Sequence, residues 1–290
     1  LLGLLDLGDW IGVEGELFRT RTGEVTVQVE ALHLLAKSLR PLPLGKTEVL
    51  EDGTEIVHSG FADVETRYRQ RYADLAVNPG VRDVFVARAR IVRALRRVLD
   101  EEDFLEVETP ILQPQYGGAF ARPFTTHHNT LDRTMYLRIA DELYLKRLLV
   151  GMLDRVYEIG KDFRNEGLDR THNPEFTMLE AYAAFADYED MMDLAERLVL
   201  AAADEVLESL VVEWNGMTID LSAPWERVRF FEAIDREAGV DTRAATDDEL
   251  RALLAGRVED AAGLRRAQLL DEMFAAFAEP ALVDPTIVYD

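Results

Sequence analysis

The residues best suited to bind or transform a ligand lie between Arg155 and Phe185, in two stretches that flank a polar loop. In each stretch polar and apolar side chains alternate with a period of two, which predicts β-strands with two different faces. One face offers a cation, a carboxylate, a phenol and a ring, and the loop adds polar groups: Arg164, Glu180, Tyr182 and Phe176, then Asn165, Glu166, His172 and Asn173. An antiparallel pair can leave such a face solvated, but its large apolar groups favour a pocket floor.

The other face of the predicted pair is apolar and indicates the side that packs against the core. In the first stretch Tyr157, Ile159, Lys161 and Phe163 share this face, and in the second Leu179, Ala181, Ala183 and Phe185 make it apolar. The strand pair would therefore be held by its apolar face and would present its polar side chains to the pocket.

The same stretch resembles motif 2 of the class II aminoacyl-tRNA synthetases. The resemblance is carried by F-R-N-E-G at 163–167 and, after a short loop, by R-x-H-N-P-E-F-T-M-x-E-x-Y at 170–182. The second part is similar to the lysyl enzymes in particular. This resemblance implies an α+β fold, in which an antiparallel sheet is flanked by helices and preceded by part of an OB-fold β-barrel.

The resemblance implies a ligase that activates L-lysine with ATP to lysyl-adenylate and then transfers the lysyl group to tRNA(Lys). Two anions must meet in the first step, namely the amino-acid carboxylate and the α-phosphate of ATP. A planar guanidinium can bind both, so Arg164 is the predicted catalytic residue, which aligns the reactants and stabilises developing charge. No general base is needed, because the attacking carboxylate is already ionised.

The resemblance also implies which residues bind ATP. Phe176 would stack on the adenine, Glu166 would accept a hydrogen bond from its exocyclic amine, and His172 and Asn173 would donate to the outer phosphates. The full predicted ATP-binding set is Arg164, Asn165, Glu166, His172, Asn173 and Phe176. Mg²⁺ is expected to neutralise the phosphates, with ligands outside this chain, since no metal-binding set is predicted within it.

A lysine side chain is a cation on an apolar stem, so its slot needs a carboxylate and a neutral acceptor. Glu180 and Tyr182, two residues apart on the polar face, provide that pair. By resemblance, Glu142 in E-L-Y-L-K-R binds the ammonium group of the substrate, although a helix dipole also favours a carboxylate in the first helical turn. Gly118 in the G-G pair would contribute a backbone contact, and Arg164 completes the lysine-binding set.

Composition limits the partners and the kinds of site. The 290 residues carry a net charge of −23, which argues against non-specific nucleic-acid binding, so a tRNA would need a local basic surface or contacts outside this chain. The chain has no cysteine, which excludes disulfides and thiolate metal sites and fits a cytoplasmic protein. No apolar run approaches the length of a membrane span.

Resemblance and composition together divide the chain into three parts. Residues 1–42 read as strands around the turn R-T-R-T-G and resemble part of an OB-fold that binds the anticodon. Residues 43–64 form a linker that contains a small hairpin, expected to turn at Asp52-Gly53. Residues 65–290 resemble a class II catalytic domain with motifs 1 and 2, which is expected to stop before motif 3.

Periodicity and capping signals predict the other elements. A helix over 81–103, followed by the strand F-L-E-V-E-T-P-I-L-Q-P that Pro110 stops, resembles motif 1, which implies a homodimer with Pro110 at the interface. The arginine-rich stretch 65–79 would suit ion pairs across an interface. Further helices are expected to open near Asp141, to run from Met191 to Leu210, to follow a capping box at Thr246–Glu249, and to end at Pro280 before a last strand.

Two other functions stay open. A paralogue could lysylate a protein in place of tRNA, although such paralogues lack the OB-fold that residues 1–42 resemble. A truncated homologue could bind lysine or ATP without catalysis, which the absence of a third motif favours. An aspartyl or asparaginyl enzyme would want a cation in the slot, whereas Glu180 and Tyr182 suit a cationic substrate. Formation of the adenylate would discriminate the non-catalytic homologue from an enzyme.

Overall fold

The structure is a computed structural model that describes residues 2–40, 42–49, 55–58, 60–258 and 261–290. The chain divides into two compact units, Leu1–Arg88 and Ala89–Asp290. Each unit is described by itself, and the functional division at residues 42 and 64 stays a prediction. In the described parts of the chain, every helix lacks the length or the apolar character that crossing a membrane requires.

The first unit opens with a long antiparallel hairpin of β1 (Trp10–Arg19) and β2 (Val25–Ala36). Gly23 takes a positive φ of 92° in the connecting turn, a conformation that glycine adopts without strain. The predicted hairpin is therefore confirmed, and the two strands fit part of an OB-fold barrel.

A second, smaller hairpin follows, as predicted, and it pairs β3 (Lys46–Val49) with β4 (Glu55–His58) in antiparallel register. Its expected turn at Asp52-Gly53 lies outside the described residues.

The arginine-rich stretch forms two short helices, α1 (Val64–Arg69) and α2 (Arg71–Val77). Arg67 and Arg71 both ion-pair with the buried Asp74, and Arg69 pairs with Glu65 at 2.8 Å. Helical folding brings these acidic partners, three to seven residues away, within reach, and pairing across an interface stays a prediction.

The remaining elements begin with the predicted long helix. In chain order they are α3 (Gly80–Glu101), β5 (Leu105–Glu106), β6 (Leu112–Gln113), β7 (Thr125–His128), β8 (Arg133–Leu137), α4 (Glu142–Val150), β9 (Arg155–Phe163), β10 (Glu175–Ala183), α5 (Tyr188–Val206), β11 (Val211–Trp214), β12 (Met217–Asp220), β13 (Glu226–Arg229), α6 (Phe230–Ala238), α7 (Asp247–Leu254), α8 (Arg266–Met273) and β14 (Thr286–Tyr289).

Two three-stranded sheets, β10-β9-β5 and β6-β8-β7, organise the region around the predicted site. β9 and β10 pair antiparallel over their full length, and β5 adds to β9 in parallel. The strand predicted to stop at Pro110 is present as the short β5, and the residues after Pro110 form β6, which joins the other sheet. Pro110 lies between them, where its missing N–H costs no ladder hydrogen bond.

The predicted apolar face of β9–β10 is confirmed as core. Tyr157 is fully buried and clusters with Leu99 of α3 and Leu194 of α5, while Leu179 packs at the edge of this cluster. Phe185 was predicted on the same face, and this is wrong. It lies beyond the end of β10, with a φ of 61° and a fully exposed side chain, because the chain turns there towards α5.

Helix α5 is present and its Met192 is buried, but it begins at Tyr188, three residues before the predicted Met191, and ends at Val206 and not at Leu210. The reason is competition from a local hairpin: Val211 begins β11, which pairs with β12 around Asn215 and Gly216, both at positive φ. An Asn-Gly turn between two strands is a strong hairpin signal.

Helices α6, α7 and α8 share a core of Ile234, Leu250, Leu254, Leu269 and Met273. The predicted capping box is confirmed, since Thr246 and Glu249 exchange side-chain and backbone hydrogen bonds. After α8 the helix continues with π geometry over Phe274–Ala278 and a 3₁₀ turn that contains Pro280. The predicted last strand is β14, which pairs in parallel with β13.

Candidate active site

The β9–β10 ladder fixes the spacing of the candidate site. The register places Glu180 opposite Glu158 and Phe176 opposite Asp162, so these four side chains follow one another along the polar face. The backbone N–H of Arg164 donates to the carbonyl of Pro174 at 2.9 Å. This bond extends the ladder past the end of β9 and holds Arg164 beside the strand pair.

Arg164 lies against the predicted adenine-stacking ring. Its guanidinium carbon is 5.1 Å from the ring centroid of Phe176, a cation–π distance, and both side chains are half-buried. The Nε of Arg164 is buried without a hydrogen-bond partner in the described part of the chain. This donor is therefore available to an acceptor that the protein itself does not supply.

A cavity of about 530 Å³ opens beside this pair. Its lining brings together most of the predicted ATP-binding residues with three further loop residues: Arg164, Glu166, Gly167, Asp169, Thr171, His172, Asn173 and Phe176. Asn165 is absent from this lining, and its backbone N–H donates to the carbonyl of Arg122 at 2.8 Å. The volume and the polar, aromatic lining suit a small polar ligand.

Asp169 organises the loop and was not singled out from the sequence. Its Oδ1 accepts hydrogen bonds from the backbone N–H groups of Thr171 and His172 at 2.7 and 2.8 Å, and the His172 Nδ1 lies 2.8 Å from Oδ2. The backbone bond from Thr171, followed by the His172 side chain, holds the pKa of Asp169 well below its usual range. The Asp-x-Thr-His spacing could have indicated it. An aspartate side chain often accepts a hydrogen bond from the backbone N–H two residues later in the chain.

The predicted side-chain slot contains a connected pair. The hydroxyl of Tyr182 donates to Glu180 Oε2 at 2.9 Å, and the backbone N–H of Asp141 donates to Glu180 Oε1 at 3.0 Å. Burial and the neighbouring Glu180 raise the pKa of Tyr182, so its hydroxyl stays protonated. Glu180 is thus held at both oxygens with its carboxylate in a half-buried position.

Gly118 and Glu142 lie side by side, as the predicted amino-acid site requires. Gly118 has a φ of 90°, and a Cβ there would lie 2.9 Å from the Cβ of Glu142 and 3.1 Å from that of Ala140. Glycine is needed for the close approach and for the conformation. Glu142 lies in the first turn of α4 and ion-pairs with Lys146 at 2.6 Å.

Arg138 is a functional candidate that sequence reasoning missed. It is 1% exposed, and its guanidinium contacts Asp141, Glu158 and Asp162 at 2.9, 2.6 and 3.1 Å. The sequence held one indication of it: Glu158 and Asp162 recur on the polar face of β9. Charged residues on a buried strand are rarely without a partner, so a buried cation was to be expected. Arg138 therefore ion-pairs with the buried carboxylates of this face.

Three carboxylates of this region converge, since Asp141, Asp162 and Glu180 each offer an oxygen within 4.8 Å of the others. The guanidinium of Arg138 already lies against two of them, so we describe them as an ion-pair network. Burial first, then the charge of Asp162, raises the pKa of Asp141 to about 8, and burial likewise raises the pKa of Asp162.

Pro110 is exposed, and its carbonyl accepts a hydrogen bond from Gln113 Nε2 at 2.9 Å. Its assignment to a dimer interface stays a prediction.

Comparison with known proteins gives a consistent family. Residues 63–260 match the family model of tRNA synthetases class II (D, K and N). A lysine–tRNA ligase of Moorella thermoacetica is 52% identical over 288 residues, which are 99% of this chain and 56% of the relative. A lysine–tRNA ligase of Carboxydothermus hydrogenoformans is 50% identical and matches 99% of this chain and 57% of its own length.

A lysine–tRNA ligase of Syntrophomonas wolfei also aligns over 98% of this chain and 56% of its own length. The chain therefore spans about half the length of the curated relatives that it matches. The family match alone covers more than half of the chain and includes the whole of α3, α4 and the β9–β10 pair. This protein therefore belongs to the class II tRNA synthetases of the D, K and N group.

Proposed function

We propose that this chain forms part of an enzyme that activates L-lysine with ATP and transfers the lysyl group to tRNA(Lys). The proposal rests on one observation. A half-buried arginine lines an aromatic-walled cavity at one end of the β9–β10 pair, and the polar face of the same pair carries a carboxylate–phenol pair. The names of the relatives, lysine–tRNA ligases that are 50–52% identical, support the choice of amino acid.

The cavity and the carboxylate–phenol pair suit the two reactants. The cavity that contains Phe176, Glu166 and His172 would take ATP, with the adenine against the ring and the phosphates towards the loop. Gly118 and Glu142 would hold the ammonium group of lysine, and Glu180 with Tyr182 would hold its side chain. The amino-acid carboxylate then meets the α-phosphate at Arg164.

In the proposed reaction an oxygen of the lysine carboxylate attacks the α-phosphorus of ATP. The new bond gives lysyl-adenylate, and the bond to the bridging oxygen breaks and releases pyrophosphate. Arg164 contributes a fixed positive charge beside the oxygens where negative charge grows. Since the nucleophile is ionised before it binds, no side chain has to remove a proton.

Mg²⁺ would supply further neutralisation of the phosphates when bound. The carboxylates that line the cavity do not fit a resident ion, because Asp169 is occupied by the loop and its histidine, and Glu166 is the remaining carboxylate there. Where the ligands of Mg²⁺ lie stays a prediction.

The proposal includes a homodimer in the cytoplasm, with Pro110 at the interface. Sedimentation velocity of the purified protein would test the assembly, and a monomer at micromolar concentration would contradict it.

The activity is tested by exchange of pyrophosphate into ATP with each of the twenty amino acids, followed by aminoacylation of tRNA(Lys). We expect exchange with lysine and charging of the tRNA. Exchange without tRNA charging would favour a protein-lysylating paralogue, and silence with every amino acid would favour a non-catalytic homologue.

A further inference from the structure

A buried cluster directly behind the candidate slot carries more negative than positive charge. One guanidinium, that of Arg138, faces three buried carboxylates. Glu158 is also satisfied by the backbone N–H and hydroxyl of Thr109, at 3.0 and 2.6 Å. Asp141 and Asp162 have 0% exposure, and apart from their ion pairs with Arg138 their oxygens lack a hydrogen-bond partner among the described residues.

This cluster is joined to the slot. The backbone N–H of Asp141 holds Glu180 at 3.0 Å. The carboxylates of Asp141, Asp162 and Glu180 approach one another within 4.8 Å. The charge state of the aspartate pair therefore acts on the same region of space in which the side chain of a bound amino acid would meet Glu180.

A buried carboxylate without enough positive charge nearby either binds a proton or attracts a cation. Burial raises the pKa of both Asp141 and Asp162, so the pair retains a proton near neutral pH. The charged and titratable groups that face the pair are Arg138, Glu158, Arg164, Glu180 and Tyr182. With the pair included, four carboxylates face two guanidinium groups.

We propose that Asp141 and Asp162 determine the charge selectivity of the slot, because they keep an unbalanced negative charge behind Glu180 that only a cationic side chain neutralises. They act as positioning residues, through Glu180 and through the local field, and they do not touch the reacting atoms. This inference rests on the proposed function, since it takes the slot to hold the side chain of the amino acid. A neutral side chain of similar length gains nothing from the pair.

The test compares L-lysine with L-norleucine, which has the same aliphatic stem and lacks the ammonium. Isothermal titration calorimetry measures the affinity of each for the wild type and for the double variant Asp141→Asn/Asp162→Asn. The matched control is Asp204→Asn/Glu208→Gln, which removes two exposed carboxylates from the end of α5 and the loop that follows it. We expect the double variant to bind lysine about tenfold more weakly, with norleucine and ATP affinities within about twofold of the wild type.

Proton release gives a second readout that a purely structural role would not change. When the ammonium arrives, the pair should give up the proton that it retains, by linkage. Titrations in buffers of different ionisation enthalpy at pH 7 should show proton release on lysine binding to the wild type, and none beyond the control level in the double variant.

Folding of the variant is checked by thermal unfolding. Asn preserves the shape of Asp, and Arg138 keeps its contact with Glu158, so the double variant should fold. Because it no longer buries two carboxylates, it should unfold at a higher temperature than the wild type. If it fails to fold, the single variant Asp162→Asn is used with the same measurements.

The outcomes are distinguishable. Failure of the wild type to bind any cationic amino acid would overturn both this inference and the proposed function. Lysine binding by the wild type with unchanged discrimination against norleucine in the double variant would overturn this inference alone. Equal loss of lysine and norleucine would also overturn it, since the pair would then shape the slot without selecting charge.

Discussion

At the scale of the residue, the proposed chemistry depends on Arg164. Its backbone is fixed by the bond to Pro174, its guanidinium rests on Phe176, and its Nε has no hydrogen-bond partner among the described residues. Such a guanidinium is oriented before any ligand arrives. It can also make two parallel hydrogen bonds to one anion, which an ammonium group cannot.

Replacement of Arg164 should therefore remove catalysis without removing the fold. We expect Arg164→Ala to lower the rate of lysine-dependent exchange by about 10² to 10³-fold, the range found when one preorganised donor is lost. Arg164→Lys should restore little of it, because the ammonium is a point charge. Circular dichroism and thermal unfolding serve as controls, and near-normal exchange by either folded variant would remove Arg164 from the mechanism.

Replacement of Glu180 should weaken the binding of lysine and leave the binding of ATP nearly unchanged. A charge-assisted hydrogen bond contributes about 1.5–3 kcal/mol, so Glu180→Gln should raise the KM for lysine by about tenfold to a hundredfold and leave the KM for ATP nearly unchanged. Tyr182→Phe is the companion variant, with a smaller effect because a neutral partner is lost. Equal weakening of lysine and ATP would show that Glu180 does not contact the side chain.

At the scale of the element, the loop between β9 and β10 is held by Asp169, which fixes Thr171 and His172 through backbone and side-chain bonds. Asp169→Asn keeps the shape but loses the charge-assisted bond to His172. We expect the KM for ATP to rise severalfold while the KM for lysine stays constant. Asp204→Asn, an exposed position in α5, is the control. A change in both constants would indicate general damage to the strand pair.

The strand pair also shows how far sequence reasoning reaches. The period of two assigned the core face and the polar face of β9–β10, because burial on one side enforces that pattern. The end of β10 was misjudged at Phe185, since the turn towards α5 depends on a local positive φ that the alternation does not encode. The end of α5 was misjudged because the pairing of the β11–β12 hairpin reaches Leu210, whose carbonyl accepts a hydrogen bond from the N–H of Leu221 at 2.8 Å.

The charge network was out of reach for a different reason. Arg138 precedes α4, whereas Glu158 and Asp162 lie on β9, and their ion pairs depend on contacts between segments about twenty residues apart. Spacing along the sequence predicts neighbours within one helix or strand. It does not predict which buried cation from another segment will ion-pair with a strand. The polar face was therefore assigned correctly, whereas its ion pairs with Arg138 were missed.

At the scale of the whole molecule, the buried pair should make stability depend on pH. The folded state raises the pKa of Asp141 from 3.8 to about 8, so it binds a proton more tightly than the unfolded chain does. Its stabilising contribution is complete below pH 3.8 and is lost as pH rises towards 8.

The measurement is urea unfolding at several pH values, with wild type and Asp141→Asn/Asp162→Asn side by side. The free energy of unfolding of the wild type should fall relative to that of the variant, by up to about 1.4 kcal/mol per pH unit between pH 5 and 8 for one proton. Parallel curves for the two proteins would show that neither aspartate binds an extra proton in the folded state.

The acidic balance of the chain, −23 overall, bears on the proposed tRNA partner. Such a charge does not favour non-specific binding to nucleic acid, so recognition would depend on local basic surface or on parts of a longer polypeptide. The arginines of α1 and α2 are already paired within the chain, which leaves less free positive charge there than the sequence suggests.

The central claim is that the polar face of β9–β10 joins lysine to ATP. Its most direct test is lysine-dependent exchange of labelled pyrophosphate into ATP, run with the purified protein and Arg164→Ala in parallel. We expect exchange with lysine, little with the other amino acids, and loss of the signal in the variant. Exchange that persists in the variant, or that an uncharged amino acid supports as well as lysine, would contradict it.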